Sequence, residues 1–427
     1  PLYKKVYMRI AIIGSGGREH ALGQKIYSSK KVSKIFCIPG NGGTKSIAEN
    51  IEIDVNNFEK IKSFLISNKV DITVVGPEEP LVNGIVDYLS ENNLKVFGPD
   101  KFCSKLEGSK IFTKKICESE KIPTAEFKIL NSISSSLNYL KDKKYPLVVK
   151  ADGLAAGKGV YICEKFSDAK KAVEEIFGGK FGIANEILIE DFLLGEEMSF
   201  FIISDNKSFK IFNTAQDHKR VFDGDKGKNT GGMGAYSPSR QITKNLEQKI
   251  INKIILPTLN YIKKNNGKYV GFLYAGLMIN NNEPYLIEYN VRMGDPECQT
   301  ILPLLNNDFV EILESCVNEN LDKIKINWKN KKSICIVLCS KGYPEIYDKN
   351  ILINNLENLK PKNDEYIFHA GTKLSNSKYF SNGGRVLNFV ALDEEFKKAR
   401  NKSLDLIKEL NWENGHHRND IGYKVIS

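Results

Sequence analysis

The chain has 427 residues, of which 41% are hydrophobic and 27% charged, and its formal net charge is +10. This length allows roughly three domains of about 150 residues each. Lysines and acids are mixed along the chain without a block of five like charges, so a basic tail for nucleic acid is not indicated. The eight cysteines form no Cys-x-x-Cys pair, which disfavours a zinc site.

The cysteines are scattered among apolar runs, a pattern typical of reduced thiols in a reducing compartment. No apolar run reaches the ~18 residues that a membrane helix needs. We therefore expect a cytoplasmic protein that acts on small molecules, with neither a nucleic acid nor a membrane as its partner. A lysine-rich surface of this kind favours anionic substrates.

The first predicted strand, residues 9–13, runs into the glycine-rich turn 14–20 and then into a helix. Bare backbone amides and the helix dipole at such a turn favour a phosphate, although a tight structural turn is an alternative. The candidate ligand contacts here are Gly16, Gly17 and Arg18.

A dinucleotide-binding fingerprint is incomplete at this turn. The position of its third glycine is taken by Glu19, and the second predicted strand, residues 34–38, ends at Pro39 without the acid that would hold a ribose. Both departures disfavour NAD binding. The later strands, 71–75 and 95–97, with a predicted helix over 82–92 between them, indicate an open parallel α/β domain over residues 8–108.

The middle of the chain begins with a predicted helix over 109–119, which carries Lys110 and Lys114. Pro123 and the serine-rich stretch 132–136 are expected to break it. The strand that follows ends in Lys150, a candidate phosphate contact.

The glycine-rich stretch 152–160 differs from a P-loop, because only three residues separate its first two glycines and Gly159 follows the lysine. Its flanking strands, 147–150 and 160–163, predict a flexible hairpin tip that folds over phosphates. A mobile surface turn is the alternative.

Residues 186–197 place an acid, Glu190, at the end of one strand and another, Glu197, at the start of the next, with the apolar hinge Phe192–Leu193 between them. This layout suits a purine ring against the hinge and ribose hydroxyls on the later acid.

Residues 214–240 predict a long polar loop, which in a compact domain is usually functional or disordered. An anion-binding nest or a substrate clamp would explain it. Its candidate contacts are Asp217, Lys219, Arg220 and Gly232. A helix over 246–264, bent near Pro257, follows.

The hairpin 271–280 and 284–291 ends in the most informative stretch of the chain. Side chains alternate along a strand, so Glu288, Asn290 and Arg292 share one face, and Ile287, Tyr289 and Val291 are expected on a core face. The first two suit a hard divalent cation and the guanidinium suits a phosphate or carboxylate. A solvated edge strand is the alternative.

The turn that follows this strand holds two further carboxylates, Asp295 and Glu297, which favours a functional site. Strands over 333–340, 366–369 and 386–391 and a helix over 394–410 then predict a small α+β domain. Arg385 in that domain is a candidate substrate contact or a structural arginine.

These motifs together resemble the phosphoribosylamine–glycine ligase family of the ATP-grasp superfamily, over nearly the whole chain from residue 8. The resemblance rests on GSGGREHAL, VGPEEPLVNGIVD, LEGSK, VVKADGLAAGKGV, EDFLLGEEMSF, QDHKRVFDGDKGKNTGGMGAYSP, IEYNVRMGDPE, FHAGTK and NGGRVL. It implies ATP-dependent ligation of glycine to 5-phosphoribosylamine through glycyl phosphate, in purine biosynthesis, with Mg²⁺ or Mn²⁺ as the metal, by a monomer or a homodimer.

The resemblance also implies three domains: an N-terminal α/β domain over 8–108, an ATP-grasp domain over 109–328 with a small lid near 123–193, and a C-terminal α+β domain over 329–427. It assigns ATP contacts to Lys110, Lys150, Gly153, Gly157, Lys158, Gly159, Glu190, Phe192, Leu193 and Glu197. Glu288 and Asn290 match the family's metal ligands. Arg292 and Asp295 look like catalytic contacts, and substrate contacts are implied at Gly16, Gly17, Arg18, Asp217, Lys219, Arg220, Gly232 and Arg385.

The tail 416–422 departs from the family's usual aromatic-Cys-Arg-Lys-Asp-Ile-Gly run, which leaves Arg418 and Asp420 as structural partners. The competing interpretations are another ATP-grasp ligase or carboxylase and a non-catalytic nucleotide-binding protein. The loop over 214–240 disfavours the first, and the lysines with Glu288 and Asn290 disfavour the second.

Overall fold

The computed structural model describes residues 7–155 and 158–426. No helix in that part of the chain has the length and apolar character needed to cross a membrane. All eight cysteines are buried and free.

The N-terminal region is a parallel sheet with helices between its strands. Its elements are β1 (Met8–Gly14), α1 (Gly17–Tyr27), β2 (Val32–Pro39), β3 (Glu49–Asn50), α2 (Phe58–Ser67), β4 (Ile72–Val75), α3 (Glu78–Asn83), α4 (Ile85–Glu91) and β5 (Val96–Phe97). The strand order is β3-β2-β1-β4-β5. Helices cover both faces of such a sheet, and residues 10–13 of β1 are accordingly apolar and completely buried.

The prediction of a single helix over 82–92 is wrong. Two short helices, α3 and α4, meet at Gly84, whose φ of +95° lies in the left-handed region. Glycine adopts that conformation without the steric cost of a Cβ, and it ends the first helix there.

Two helices lead into a small sheet that forms the lid of the central region. The elements are α5 (Lys101–Gly108), α6 (Lys110–Glu120), β6 (Phe127–Leu130), α7 (Ile133–Leu140), β7 (Leu147–Ala151), β8 (Val160–Cys163), α8 (Phe166–Phe177) and β9 (Ile187–Asp191). The strands pair in the order β6-β9-β7-β8. The lid has its own apolar core, in which Leu140, Val149 and Val173 are fully buried.

Helix α6 ends at Glu120, before Pro123, as predicted, and the serine-rich stretch 132–136 starts a new helix that was not predicted. The hydroxyl of Ser132 accepts a hydrogen bond from the backbone N–H of Ser135 at 3.1 Å and so caps α7. Serine is among the residues that best satisfy the free N–H groups of a first helical turn.

The central region carries β10 (Glu196–Asp205), β11 (Phe209–Asp217), β12 (Arg220–Phe222), β13 (Lys226–Asn229), β14 (Gly234–Ser237), α9 (Lys244–Ile250), α10 (Leu256–Lys264), β15 (Val270–Asn280), β16 (Glu283–Asn290), α11 (Glu297–Ile301) and α12 (Phe309–Val317). The loop predicted over 214–240 is therefore largely strand, since β12 and β13 form a hairpin and β14 joins the main sheet. The helix predicted over 246–264 is divided by a π-helical turn, Ile251–Ile255.

The C-terminal region extends the central sheet. Its elements are β17 (Lys332–Ser340), β18 (Glu365–His369), β19 (Thr372–Ser375), β20 (Lys378–Ser381), β21 (Arg385–Asp393), α13 (Phe396–Leu410) and β22 (Gly415–His416). Short 3₁₀ turns lie at Thr44–Ser46, Leu302–Leu304, Leu321–Lys323, Leu356–Asn358 and Tyr423–Val425. Because β14 pairs with β17, the main path runs β16-β15-β10-β11-β14-β17-β21-β18 across both regions.

Candidate active site

The end of β16 carries the two predicted metal ligands. Glu288 and Asn290 are half-buried and pair with Gly276 and Tyr274 of β15, while Tyr289 between them is buried. The predicted alternation therefore holds here. It fails upstream, because the register shifts near Gly276 and leaves Ile287 half-buried rather than in the core.

Lys110 connects this strand to the glycine-rich loop of the lid. Its Nζ donates to the carbonyl of Gly153 at 3.0 Å. Burial lowers the pKa of Lys110, whereas the nearby carboxylate of Glu288 opposes that shift. A lysine beside a carboxylate suits a place where phosphate and a cation are held together.

A second group of charges lies under the lid. The carboxylate oxygens of Glu190 lie 2.9 Å from Lys150 Nζ and 3.0 Å from Lys114 Nζ, and all three side chains are almost completely buried. Burial disfavours the charged form of Glu190, but the two lysines outweigh it and lower the pKa of this carboxyl. Two cations around one anion leave a net positive charge.

Lys114 was recognised in the sequence only as a residue carried by a helix and was missed as a site residue. The signal was its spacing of four from Lys110, which puts both lysines on one face of α6. Its Nζ also donates to the hydroxyl of Thr124 at 2.5 Å.

The glycine-rich loop between β7 and β8 is described except for Ala156 and Gly157, so the prediction for Gly157 lies outside the described residues. Gly153 has a φ of +87°, and the Gly159 carbonyl accepts from Ala151 N at 2.8 Å. Lys158 is exposed at the tip. Its contact with a nucleotide stays a prediction.

The hinge after β9 presents an apolar surface beside the lid. Phe192 is 36% exposed and Leu193 is half-buried. Gly195 has a φ of +141°, and a Cβ there would lie 2.3 Å from the Ile279 carbonyl oxygen. This close approach of two backbones requires glycine and holds the hinge against β15.

The later acid of the hinge, Glu197, forms an ion pair with Lys219 at 2.8 Å. Both side chains are nearly half exposed, so their charges face solvent at the site rather than the core. The predicted ribose partner and a predicted substrate contact are thus neighbours.

Two carboxyl groups near this pair, on Glu297 and Asp217, influence each other electrostatically. Burial raises the pKa of Glu297 to about 7, and the neighbouring Asp217 adds to that shift. Tyr274 Oη donates to Glu297 Oε1 at 3.3 Å, and Ser199 Oγ donates to Tyr274 Oη at 2.9 Å. Glu297 was recognised only as a carboxylate of the turn and was missed as a site residue.

Arg292 is clamped by two acids from the N-terminal part of the chain. Its Nη2 donates to Glu107 Oε1 at 2.5 Å, and its Nε lies 3.1 Å from Glu78 Oε2. Burial opposes its charge, yet these carboxylates outweigh burial and raise the pKa of Arg292. Neither acid was predicted, although both stand in quoted motifs, GPEEP and LEGSK.

Asp295 is the point where three regions of the chain meet. It accepts from Arg18 N at 3.2 Å and from Gln299 Nε2 at 2.7 Å, and Arg385 Nη2 lies 3.4 Å from it. The Arg18 guanidinium donates to Glu19 and to the Met293 carbonyl. The sequence predicted Arg18, Asp295 and Arg385 separately, and the fold brings them together.

The glycine-rich turn of the N-terminal region packs against this point. A Cβ on Gly16 would lie 3.2 Å from Asp295 Oδ2, and one on Gly17 would lie 2.4 Å from Asn388 Nδ2. The amide of Gly16 already donates to Glu19 Oε2 at 2.7 Å. That amide is therefore engaged by a carboxylate, and the predicted anion contact of this turn stays a prediction.

Gly232 and Arg385 complete the group of residues around Asp295 and Pro296. Arg385 Nη1 donates to the carbonyls of Gly231 and Asp295 at 2.8 and 2.6 Å. Gly232 has a φ of +123°, and a Cβ would lie 2.6 Å from Pro296 Cδ. Arg220 instead bonds within its own hairpin, to the Gly227 carbonyl at 2.7 Å, and its substrate contact remains a prediction.

The site combines a lid, buried lysines beneath it and a neighbouring strand that carries a carboxylate and an amide. This arrangement is that of an ATP-grasp protein. Family models for phosphoribosylglycinamide synthetase match its N domain at residues 8–107, its ATP-grasp (A) domain at 108–298 and its C domain at 333–424. The chain belongs to the phosphoribosylglycinamide synthetase family.

Relatives agree with this assignment. The phosphoribosylamine–glycine ligase of Caldanaerobacter subterraneus is 42% identical over 97% of this chain and 99% of its own length. That of Brucella melitensis is 40% identical over 98% of each chain. The crystal structure of the Thermotoga maritima enzyme superimposes with a TM-score of 0.84 at 32% identity, covering 97% of this chain and all of that one. Biotin carboxylase of Campylobacter jejuni, in a complex with an ATP analogue, shares the fold alone, at 16% identity and a TM-score of 0.73 over 97% of this chain and 93% of that one.

Proposed function

We propose that this protein ligates glycine to 5-phosphoribosylamine with ATP, giving glycinamide ribonucleotide, ADP and phosphate, in purine biosynthesis and in the cytoplasm. The observation that carries the proposal is the match of all three family domains in one chain whose site residues converge. Full coverage of the relatives supports a whole enzyme activity rather than a single binding module.

The nucleotide lies between the lid and the central sheet in this proposal. Its purine packs on Phe192 and Leu193, its ribose reaches Glu197, and its phosphates lie near Lys110 and Lys150. The net positive charge around Glu190 supports the phosphate placement.

The donor set on β16 fits Mg²⁺ or Mn²⁺. The described residues contain no cluster of three or more histidine, cysteine, aspartate or glutamate side chains that could hold a metal ion. Mg²⁺ commonly takes only one or two protein carboxylates and completes its shell with phosphates and water. Glu288 and Asn290 would hold such an ion, which when bound neutralises charge on the polyphosphate.

The reaction needs positioning and charge neutralisation rather than a nucleophilic side chain. The glycine carboxylate attacks the γ-phosphorus of ATP, ADP departs, and glycyl phosphate forms. The amine then attacks the acyl carbon, phosphate leaves with the electrons of the C–O bond, and the nitrogen gives up one proton to the departing phosphate or to solvent. Lys110 and Lys150 take up the charge that develops on the phosphate oxygens, and the closed lid excludes water from the acyl phosphate.

The remaining substrates lie where the three regions meet. We place glycine and the ribosylamine beside Asp295, Arg385 and Lys219, because guanidinium and ammonium groups recognise carboxylate and phosphate. Arg18, Asp217, Gly16, Gly17 and Gly232 shape the same space.

A coupled assay of ADP release, with each substrate omitted in turn, tests the proposal. We expect turnover only when ATP, glycine and 5-phosphoribosylamine are all present. ADP release with bicarbonate in place of glycine would instead assign the chain to a carboxylase activity. Nucleotide binding without turnover on any amine would contradict an enzymatic role.

A further inference from the structure

The C-terminal segment of the described chain lies along the hairpin formed by β12 and β13. Arg418 in this segment is completely buried. Its Nε and Nη2 donate to the two carboxylate oxygens of Asp420 at 2.7 and 2.8 Å. Its Nη1 donates to Asp225 Oδ1 at 2.8 Å and to the Arg220 carbonyl at 3.1 Å. One guanidinium therefore joins the tail to the first residue of β12 and to the turn of the hairpin.

Further hydrogen bonds repeat this connection at the hairpin tip. Asp420 Oδ2 accepts from Gly224 N at 2.8 Å. Tyr423 Oη donates to Asp225 Oδ2 at 2.6 Å, and Asn419 N donates to Asp223 Oδ1 at 2.9 Å. Both acids of the tip are thus held by the tail.

The base of the hairpin is held in the same way. Gly422 N donates to His218 Nε2 at 3.0 Å, and His218 lies between Asp217 and Lys219. Thr230 donates to the Lys219 carbonyl through both its amide and its hydroxyl, at 2.8 Å each. Gly231, the next residue, contacts Arg385. The two chain ends of the hairpin are therefore parts of the active site.

Among the described residues the hairpin has few contacts besides those with the tail: Val221 is buried in the core, and Lys228 forms an exposed ion pair with Glu345. All four residues of β13 are exposed, and β12 and β13 pair only with each other. An isolated two-stranded hairpin is at best marginally stable in water. The tail supplies most of the hydrogen bonds that hold it in this position.

We propose that Arg418 is a positioning residue, which clamps hairpin 220–229 to the tail 415–425 and thereby holds Lys219 and Gly231 in place for the acceptor substrates. The statement about substrates rests on the proposed function, whereas the clamp itself does not. The nucleotide half of the site lies mainly on the lid, α6 and β16 and meets the clamped segment only through the Glu197–Lys219 ion pair, so the clamp acts chiefly on the acceptor half.

The test compares full-length Arg418→Ala, Arg418→Lys and a control, Lys398→Ala, whose ion pair with Glu395 on α13 is exposed. Hydrogen exchange is followed over residues 218–232 without substrates. We expect faster exchange confined to that segment in Arg418→Ala, since local opening reports local stability. Arg418→Lys keeps the charge but not the two-pronged contact, so we expect it to restore protection only in part.

Kinetics supply the second measurement. In Arg418→Ala the KM for glycine or 5-phosphoribosylamine should rise about tenfold or more, because small displacements of positioning groups are costly, while ATP affinity by calorimetry changes far less. Unchanged exchange over 218–232 would overturn the clamp. A uniform rise in exchange together with lost ATP affinity would also overturn it, since that pattern marks a purely structural arginine.

If Arg418→Ala does not fold, Asp225→Asn serves as the second variant, because it weakens one contact of the same guanidinium at a partly exposed position. The two proposals fail separately. A wild-type protein that does not turn over glycine and 5-phosphoribosylamine contradicts the proposed function, whereas the exchange measurement uses no substrate and decides the clamp in either case.

Discussion

At the residue scale, the site depends on buried charges that compensate each other. Glu190 lies between Lys114 and Lys150, and Arg292 lies between Glu78 and Glu107. A buried charge without a partner is costly, so each of these groups is stable only while its partners are present. The ion pair between Glu197 and Lys219 is more exposed to solvent than these buried groups.

The metal assignment is tested by Glu288→Gln, which keeps the size of the side chain and removes its charge. We expect ligation to fall by roughly 10²-fold or more, the usual cost of losing one electrostatic stabiliser. The measurement is the ADP-release rate over a magnesium titration. Glu283→Gln, on the same strand but exposed and paired with Lys253, is the matched control. Near-normal rates for Glu288→Gln at saturating magnesium would contradict the assignment.

Lys150→Met tests the phosphate assignment. Removal of this charge should weaken ATP binding by about tenfold or more, because a charge-assisted contact is worth roughly 1.5–3 kcal/mol. Isothermal calorimetry measures the affinity. Lys128→Met, on an exposed position of the same lid sheet, should bind ATP as the wild type does. An unchanged affinity for Lys150→Met would remove this lysine from the site.

At the element scale, the hinge between β9 and β10 is set by one glycine. Both Gly195 and Gly224 have positive φ, but only at Gly195 would a Cβ meet a backbone oxygen, at 2.3 Å. The left-handed conformation alone costs about 1 kcal/mol for a residue with a Cβ. The clash adds to that cost only at the hinge.

We therefore expect Gly195→Ala to lower the melting temperature more than Gly224→Ala does, and to weaken ATP binding by moving Phe192 and Leu193. Thermal unfolding and calorimetry on both variants measure these effects. Equal destabilisation by the two substitutions, with unchanged ATP affinity, would show that the hinge tolerates a Cβ.

At the scale of the whole molecule, the N-terminal and C-terminal regions meet at two buried histidines. His369 N donates to His20 Nδ1 at 2.8 Å. Burial lowers the pKa of His20 to about 4, whereas the unfolded chain has the ordinary value near 6.5. Between these values the unfolded state binds a proton that the folded state does not, so stability falls as the pH falls.

The contribution of His20 to the free energy of unfolding should be complete above pH ~6.5 and should be lost progressively toward pH ~4, a change of about 3 kcal/mol. His20→Gln keeps an acceptor for the His369 amide and removes the titration. Denaturant unfolding at several pH values should therefore show a flatter dependence for the variant. Carboxyl groups with a raised pKa, such as Glu297, make stability rise as the pH falls. They are present in both proteins, so they do not affect the difference between the two pH dependences. If the free energy of unfolding depended on pH in the same way in the wild type and in His20→Gln, the lowered pKa of His20 would be contradicted.

The sequence by itself determined the alternation of strands and helices in the first hundred residues, the strand that carries Glu288 and Asn290, and the family. These features are local, since side-chain periodicity and motif spacing are properties of short stretches of chain. The sequence was wrong where the outcome depended on strand pairing with distant residues, as at Ile287 and over 214–240, and it also missed the local helix break at Gly84.

Only the tertiary structure decided which charges meet. Glu78 and Glu107 clamp Arg292 from about 200 residues away, Arg18 and Arg385 reach Asp295 from opposite ends of the chain, and Arg418 holds the hairpin. No periodicity records such pairings, because they follow from how the sheets assemble. Strand β14 joins the central and C-terminal sheets, and that pairing brings these two regions to one site.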